Sequence, residues 1–163
     1  MARPPRVPQT GPSILDAGTG EVSTSPRRLV VEADGGSRGN PGPAAYGALV
    51  RDPGTGEVLD AEGRTLGVAT NNVAEYSGLV AGLELARAVD PAAAVDVRMD
   101  SRLVIEQMAG HWKVKHPVLV PLAVRARELS PADVTWTWVP REQNAAADAL
   151  VNDALDGHPR TRR

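Results

Sequence analysis

The order of hydrophobic patterns along the chain restricts its fold more than any single motif does. Three strand-like segments come first: Leu29-Val30-Val31-Glu32-Ala33 running into Asp34, then Ala45 to Val50, then roughly Val58 to Leu66. The turn-forming run Asp52-Pro53-Gly54-Thr55-Gly56 joins the last two. Helix and strand patterns then alternate: a helix from about Asn72 to Ala88, a strand from Ala94 to Met99, helices over Arg102 to Ala109 and Val118 to Leu129, a strand from Val134 to Val139, and a helix from Asn144 to Leu155. Strands joined by short turns pair antiparallel, whereas strands separated by helices pair parallel. The order therefore predicts an α/β fold: a five-stranded mixed sheet, three antiparallel strands and then parallel ones, flanked by helices. Ahead of it, residues 1–27 are rich in Pro, Gly, Ser and scattered Arg, with too little apolar content to offset the cost of ordering, and are expected to form a disordered tail. Residues 28–157 are expected to form the domain and 158–163 a basic end.

Four carboxylates fall at the junctions of this pattern. Asp34 opens the segment Asp34-Gly35-Gly36-Ser37-Arg38-Gly39-Asn40-Pro41-Gly42-Pro43, Glu75 lies in Thr70-Asn71-Asn72-Val73-Ala74-Glu75-Tyr76, Asp100 ends the strand that closes on Met99, and Asp148 follows Asn144-Ala145-Ala146-Ala147. Each has an ordinary explanation when taken alone: Asp34 as part of a hairpin turn, Glu75 as the acid of a capping box opened by Asn72, Asp100 as a helix N-cap. Helical spacing changes the balance. Glu75 shares a face with Leu79, Gly82, Leu83 and Ala86, and Asp148 shares one with Val151 and Leu155, so both acids point inward. Inward carboxylates without basic partners at neighbouring positions are costly, and divalent cations turn their repulsion into coordination. Oxygen donors with neither Cys nor a His cluster favour magnesium or manganese.

Composition removes several classes. At 163 residues the chain suits one domain with a core of its own, and the absence of cysteine excludes disulfides and thiolate zinc sites. No apolar run approaches the ~20 residues of a membrane span, so a cytoplasmic monomer is expected. Charge argues the other way from nucleic acid: Leu29 to Gly157 holds 11 basic against 18 acidic residues, seven arginines lying in the two tails. A nucleic acid held here would depend on metals and polar groups more than on phosphate neutralisation.

Taken in order with their flanks, these segments resemble type 1 ribonuclease H, over about Arg28 to Asp156. The resemblance implies hydrolysis of the RNA strand of an RNA/DNA hybrid by two magnesium ions, manganese substituting, to leave 5′-phosphate and 3′-hydroxyl ends. It implies Asp34 as the bridging ligand, Glu75 and Asp100 as ligands on the leaving-group side, and Asp148 nearest the attacking water. Gly35, Gly36 and Ser37 correspond to a close backbone approach to RNA, Asn40, Asn71 and Asn72 to amides that read the minor groove, Thr70 to a DNA-phosphate contact and Arg102 to a further polar contact. Two departures stand out. The long basic insertion of some members is replaced by Gly110 to Pro117, where Trp112 is placed to stack on a DNA sugar and Lys113 or Lys115 to meet a phosphate. The loop before the last acid lacks the usual histidine and offers Arg141 and Glu142 instead. Alternatives stay open: a hybrid- or RNA-binding module without activity, a variant that cuts double-stranded RNA, and a DNA-cutting transposase or integrase. The segment Trp112 to Pro117 is similar to a bacterial subgroup, some of whose members continue into a phosphatase-like second domain.

Overall fold

The computed structural model describes residues 27–163, so the expected tail lies outside it apart from Arg27. Strands β1 (Arg28–Ser37), β2 (Gly42–Arg51) and β3 (Val58–Ala69) are followed by helix α1 (Asn71–Val89), strand β4 (Ala94–Met99), helices α2 (Arg102–Met108) and α3 (Leu119–Leu129), strand β5 (Val134–Trp138), a 3-10 turn (Arg141–Gln143) and helix α4 (Ala145–Leu155). They build one sheet in the order β3-β2-β1-β4-β5. β1 to β3 pair antiparallel, and β4 and β5 join in parallel. This is the mixed sheet that the order of patterns predicts.

One difference matters for the site. The sequence places Asp34 where a strand gives way to a glycine turn, but β1 continues to Ser37, with Asp34 opposite Gly47 and Ser37 opposite Ala44 on β2. On its other side β1 loses its partner early, because pairing with β4 ends at Glu32 and Arg98. Asp34 is thus held firmly by β2 while its opposite edge is open.

The core is aliphatic, the chain having no phenylalanine. Leu79, Leu83 and Leu85 of α1 pack with Val31, Val50 and Val97 of the sheet, each side chain contributing about 1.5–3 kcal/mol by burial. Tyr76 is the largest fully buried side chain, and its hydroxyl donates to Gln107 Oε1 at 2.6 Å. Gln107 in turn donates through Nε2 to the Lys113 carbonyl, which anchors the loop after α2. Glycines set how closely the layers meet. A Cβ on Gly78 would lie 2.5 Å from the Asp34 carbonyl oxygen, and one on Gly47 2.5 Å from the Ala147 carbonyl oxygen, so α1 and α4 rest directly on the backbone of β1 and β2.

The basic residues 158–163 pack along β3. Arg160 pairs with Gly63 of β3 through two backbone hydrogen bonds of 2.8 Å. The Arg162 guanidinium donates to both carboxylate oxygens of Glu62, at 2.6 and 3.1 Å, and to Glu84 at 3.1 Å. Glu62 is buried, 1% exposed, and also accepts from the Tyr46 hydroxyl. Burial alone would raise its pKa, but the bonds from Arg162 and Tyr46 outweigh that and lower it. Removing Arg162 strands a buried charge, so Arg162→Ala is expected to cost about 1–3 kcal/mol in urea unfolding at pH 7. Because Glu62 has a lowered folded pKa, its contribution is present above the ordinary glutamate pKa and is lost as pH falls through the folded value. The difference between mutant and wild type should therefore shrink on acidification; a difference that grew would contradict the ion pair.

Candidate active site

The open edge of β1 becomes a cleft of about 360 Å³ lined by Asp34, Glu75, Asp100 and Asp148, one acid from each of four segments. Asp34 comes from the part of β1 that β4 no longer covers, and Asp100 from the chain as it leaves β4. Glu75 comes from the first turns of α1, and Asp148 from the first turn of α4.

The ordinary explanations do not hold for three of these acids. The cap of α1 is Thr70, whose Oγ1 accepts from Val73 N, so neither Asn72 nor Glu75 is used in capping. The cap of α2 is Ser101, accepting from Val104 N, which leaves Asp100 free. Asp34 is inside a strand rather than in a turn. Glu75 Oε1 is buried with no hydrogen-bond partner among the described residues.

The electrostatics follow from this crowding. Burial, then the charge of Asp100, raises Asp34 from the ordinary aspartate range to about 7. Burial, followed by the charges of the neighbouring Asp34 and Asp100, raises Glu75 as well. Two carboxylates in contact cannot both ionise cheaply, so the pair keeps a proton near neutrality unless a cation intervenes. One basic side chain approaches the acids from outside their own helices: Arg141 Nη2 stands 3.8 Å from Asp148 Oδ1 across the rim of the cleft.

An all-oxygen donor set with a buried unpaired oxygen fits a hard divalent cation. Among the described residues no three His, Cys, Asp or Glu side chains stand close enough together to cage an ion as they are. The acids ring the cleft instead, each leaning on another partner: Asp34 and Glu75 on one another, Asp100 on Asn144, and Asp148 toward Arg141.

The other expected contacts divide into three groups. Ser37, Asn71, Gly35 and Gly36 line the acid cleft, with the Ser37 N–H donating to Asn71 Oδ1 at 2.8 Å. The glycines differ in their reason for being there. A Cβ on Gly35 would sit 2.1 Å from the Ala74 carbonyl carbon, so Gly35 is required for the packing of α1, whereas one on Gly36 would make ordinary contact with Val151 on the cleft side. A neighbouring groove holds Asn40, Thr70 and Asn72, and continues past His116 to Trp112, Lys113 and Lys115. Asn40 joins groove to cleft by accepting from Asn71 N. Arg102 does not line the cleft; it stacks on Trp138, 4.6 Å from the ring centre, and pairs with Glu106. Glu142 is exposed beyond the rim.

Sequence reasoning missed Arg38 and Asn152, which line the cleft, as well as His116 and the buried Asn144. Arg38 is aimed by Asp156, 2.9 Å away, a partner too distant in sequence to signal itself. Asn144 reads as a helix start and gives no hint that its side chain is buried.

A family profile described as "Reverse transcriptase-like" matches residues 32–154. The chain is 53% identical over 131 residues to the bifunctional protein Rv2228c of Mycobacterium tuberculosis. The solved N-terminal RNase H domain of that protein superposes with a TM-score of 0.77, covering 80% of this chain and 95% of the domain. The chain belongs to the type 1 ribonuclease H family. Ribonuclease HI of Halobacterium salinarum is 48% identical over 127 residues, 76% of this chain. LC11-RNase H1, solved in complex with an RNA/DNA hybrid, is 38% identical with a TM-score of 0.75, covering 79% of this chain and 97% of that one. The chain spans 36% of the mycobacterial relative and 62% of the halobacterial one. Ribonucleases H generally use divalent metal ions, as the oxygen donors of the cleft suit.

The crowding predicts a stability effect without metal. Asp34 has a raised folded pKa, so the native state binds more protons than the unfolded chain between the ordinary aspartate value and about 7, and stability falls as pH rises through that window. Asp34→Asn is therefore expected to raise the melting temperature by roughly 3 °C or more at pH 8 in chelator, and to do little below pH 4. An unchanged or lower melting temperature at pH 8 would contradict the repulsion.

Proposed function

We propose that this protein is an endoribonuclease that hydrolyses the RNA strand of RNA/DNA hybrids in the manner of type 1 ribonuclease H, leaving 5′-phosphate and 3′-hydroxyl ends. The observation that carries the reading is the convergence of four acids, freed from capping and turn duties, on one cleft beside a second groove. A binding module has no use for such a costly cluster. The hybrid bound by LC11-RNase H1 supports the choice of substrate.

In this reading Asp34, Glu75, Asp100 and Asp148 would together hold two magnesium ions, or manganese in their place. When bound, the ions supply an activated water and stabilisation of the leaving 3′-oxygen. The chain's own residues do the rest. Ser37, Asn71 and the exposed backbone at Gly36 receive the RNA strand, where 2′-hydroxyls distinguish it from DNA. The groove from Asn40 and Thr70 past Asn72 to Trp112, Lys113 and Lys115 receives the DNA strand, Trp112 being half exposed and free to stack on a sugar. Arg141, held over Asp148, orients a phosphate but stays protonated and so takes no proton; Glu142 can accept one only if the loop brings it inward.

We place this activity in the cytoplasm, in a monomer; no helix among the described residues is long and apolar enough to cross a membrane. The word "bifunctional" in the name of the longer mycobacterial relative supports a second domain in a longer form of this protein, for which the resemblance implies a phosphatase-like fold.

Labelled RNA/DNA, RNA/RNA and DNA/DNA duplexes incubated with magnesium, manganese or chelator test the proposal. Metal-dependent cutting confined to the RNA of the hybrid is expected, and Asp34→Asn should abolish it; near-normal activity in that variant would sink the assignment. Arg141→Ala should slow turnover by about 3- to 30-fold, far less than Asp148→Asn, since an exposed guanidinium positions charge without holding the metal. Trp112→Ala should raise KM for the hybrid several-fold and leave kcat alone, which steady-state kinetics would show.

A further inference from the structure

Asn144 is fully buried at the start of α4, 0% exposed, more than a hundred residues from the strand it touches. Its Nδ2 donates to the Ala33 carbonyl at 2.9 Å and to Asp100 Oδ1 at 2.8 Å. Both partners are acceptors, so the nitrogen must face them and the amide cannot be flipped. Its carbonyl oxygen accepts from Asp148 N at 3.1 Å, and its own N–H donates to Arg141 O at 2.9 Å. The side-chain Oδ1 is buried with no partner among the described residues.

The placement answers a particular need. β4 stops pairing at Arg98, so the Ala33 carbonyl, next to Asp34, has no neighbouring strand to bond. The Asn144 amide takes the place of that strand and with its second hydrogen seizes the carboxylate of Asp100. One residue thereby fixes the backbone beside Asp34, the side chain of Asp100 and the first turn that carries Asp148. A lysine or arginine could also donate twice, but its charge would cancel that of the acids. A serine or threonine has one hydrogen to give, and an aspartate has none when ionised. A neutral double donor is the type that holds Asp100 in place while leaving its charge available. The stranded Oδ1 points the same way: the side chain is oriented for its hydrogens, at the expense of its acceptor.

We propose that Asn144 is the positioning residue of the acid cleft, setting the spacing of Asp34, Asp100 and Asp148 so that they take up a divalent cation together. The inference rests on the nuclease reading for its kinetics but not for its metal binding. Partners that orient ligands typically change metal affinity or activity 10- to 100-fold when removed.

The test uses the full chain with Asn144→Ala, Asn144→Ser, Asp100→Asn and the double variant Asn144→Ala/Asp100→Asn. Manganese binding is measured by calorimetry without nucleic acid, cleavage of a labelled hybrid by steady-state kinetics, and folding by circular dichroism. Asn144→Ala should weaken manganese binding about 10-fold or more and lower kcat by a similar factor, with KM for the hybrid nearly unchanged. Asn144→Ser, able to serve one acceptor, should fall between, and it carries the comparison if the alanine variant does not unfold cooperatively. In the Asp100→Asn background, loss of Asn144 should change manganese affinity by a clearly smaller factor than in the wild type, because the share of the effect that runs through Asp100 is already gone. A residue that only stabilised the fold would lower the melting temperature alike in both backgrounds and leave metal affinity intact, and that result would overturn the proposal. An inactive wild type whose manganese binding still depends on Asn144 would remove the nuclease reading and keep the positioning role; an active wild type matched by Asn144→Ala would do the reverse.

Discussion

The contact on which the rest of this molecule depends is backbone against backbone. Helix α1 lies on β1 with Gly35 and Gly78 between them, so close that a Cβ at Gly35 would strike the Ala74 carbonyl and one at Gly78 would strike that of Asp34. This approach brings Glu75 to Asp34. Were α1 lifted by the width of a methyl group, Glu75 would move away from Asp34 and Asp100, and the part of its raised pKa that comes from their charges would fade. On the other face, Gly47 and Gly63 let α4 settle on β2 and β3 and carry Asp148 toward the same opening. The site is assembled by the thinness of its supports.

The fold pairs its other partly buried acids with arginines and leaves those of the cleft without such partners. Glu62 and Glu84 are tied to Arg162, Glu32 to Arg51, and Asp96 to Arg98 and two threonines. Much of the negative balance between Leu29 and Gly157 is therefore engaged in internal pairs and does not face a ligand. The cleft acids differ in that, among the described residues, they make no close ion pair: Arg38, which lines the cleft, is held by Asp156, and the exposed Arg141 stands 3.8 Å from Asp148. A nucleic acid approaching this surface meets concentrated negative potential at one point and a positive margin of Lys113 and Lys115 at another, which agrees with recognition through metals and polar groups.

Much of this was legible in the sequence because hydrophobic period and topology are local properties. The β4 strand begins and ends where its pattern does, and the other elements shift by a few residues at their ends. What the sequence hid was set by distant partners. Gly35 and Gly36 read as a turn because nothing in the neighbourhood reveals a helix pressed against the first of them. Asn72 read as a cap because it precedes an acid at the right spacing, but Thr70 has the extended backbone and takes that role. Arg102 sits where a ligand contact is expected, and the exposed face of Trp138 claims it instead. The four acids were legible because their flanks form a recognisable set; Asn144, which ties two of them together, was not, because its partners lie 44 and 111 residues away.

The bridge between Arg160 and Gly63 also affects how these molecules behave in one another's company. β3 is an outer strand of the sheet, and an outer strand exposes a row of unpaired amides and carbonyls on which a second chain can add. Here the returning segment occupies Gly63 by its backbone, while Arg162 and Arg163 bind Glu62, Asp60 and Leu59 along the same strand. The contacts that fix this segment therefore also shield the edge. A ribonuclease that lost this segment would expose a sticky border as well as lose an ion pair, and concentrated solutions would register that as self-association before the cleft registered any change.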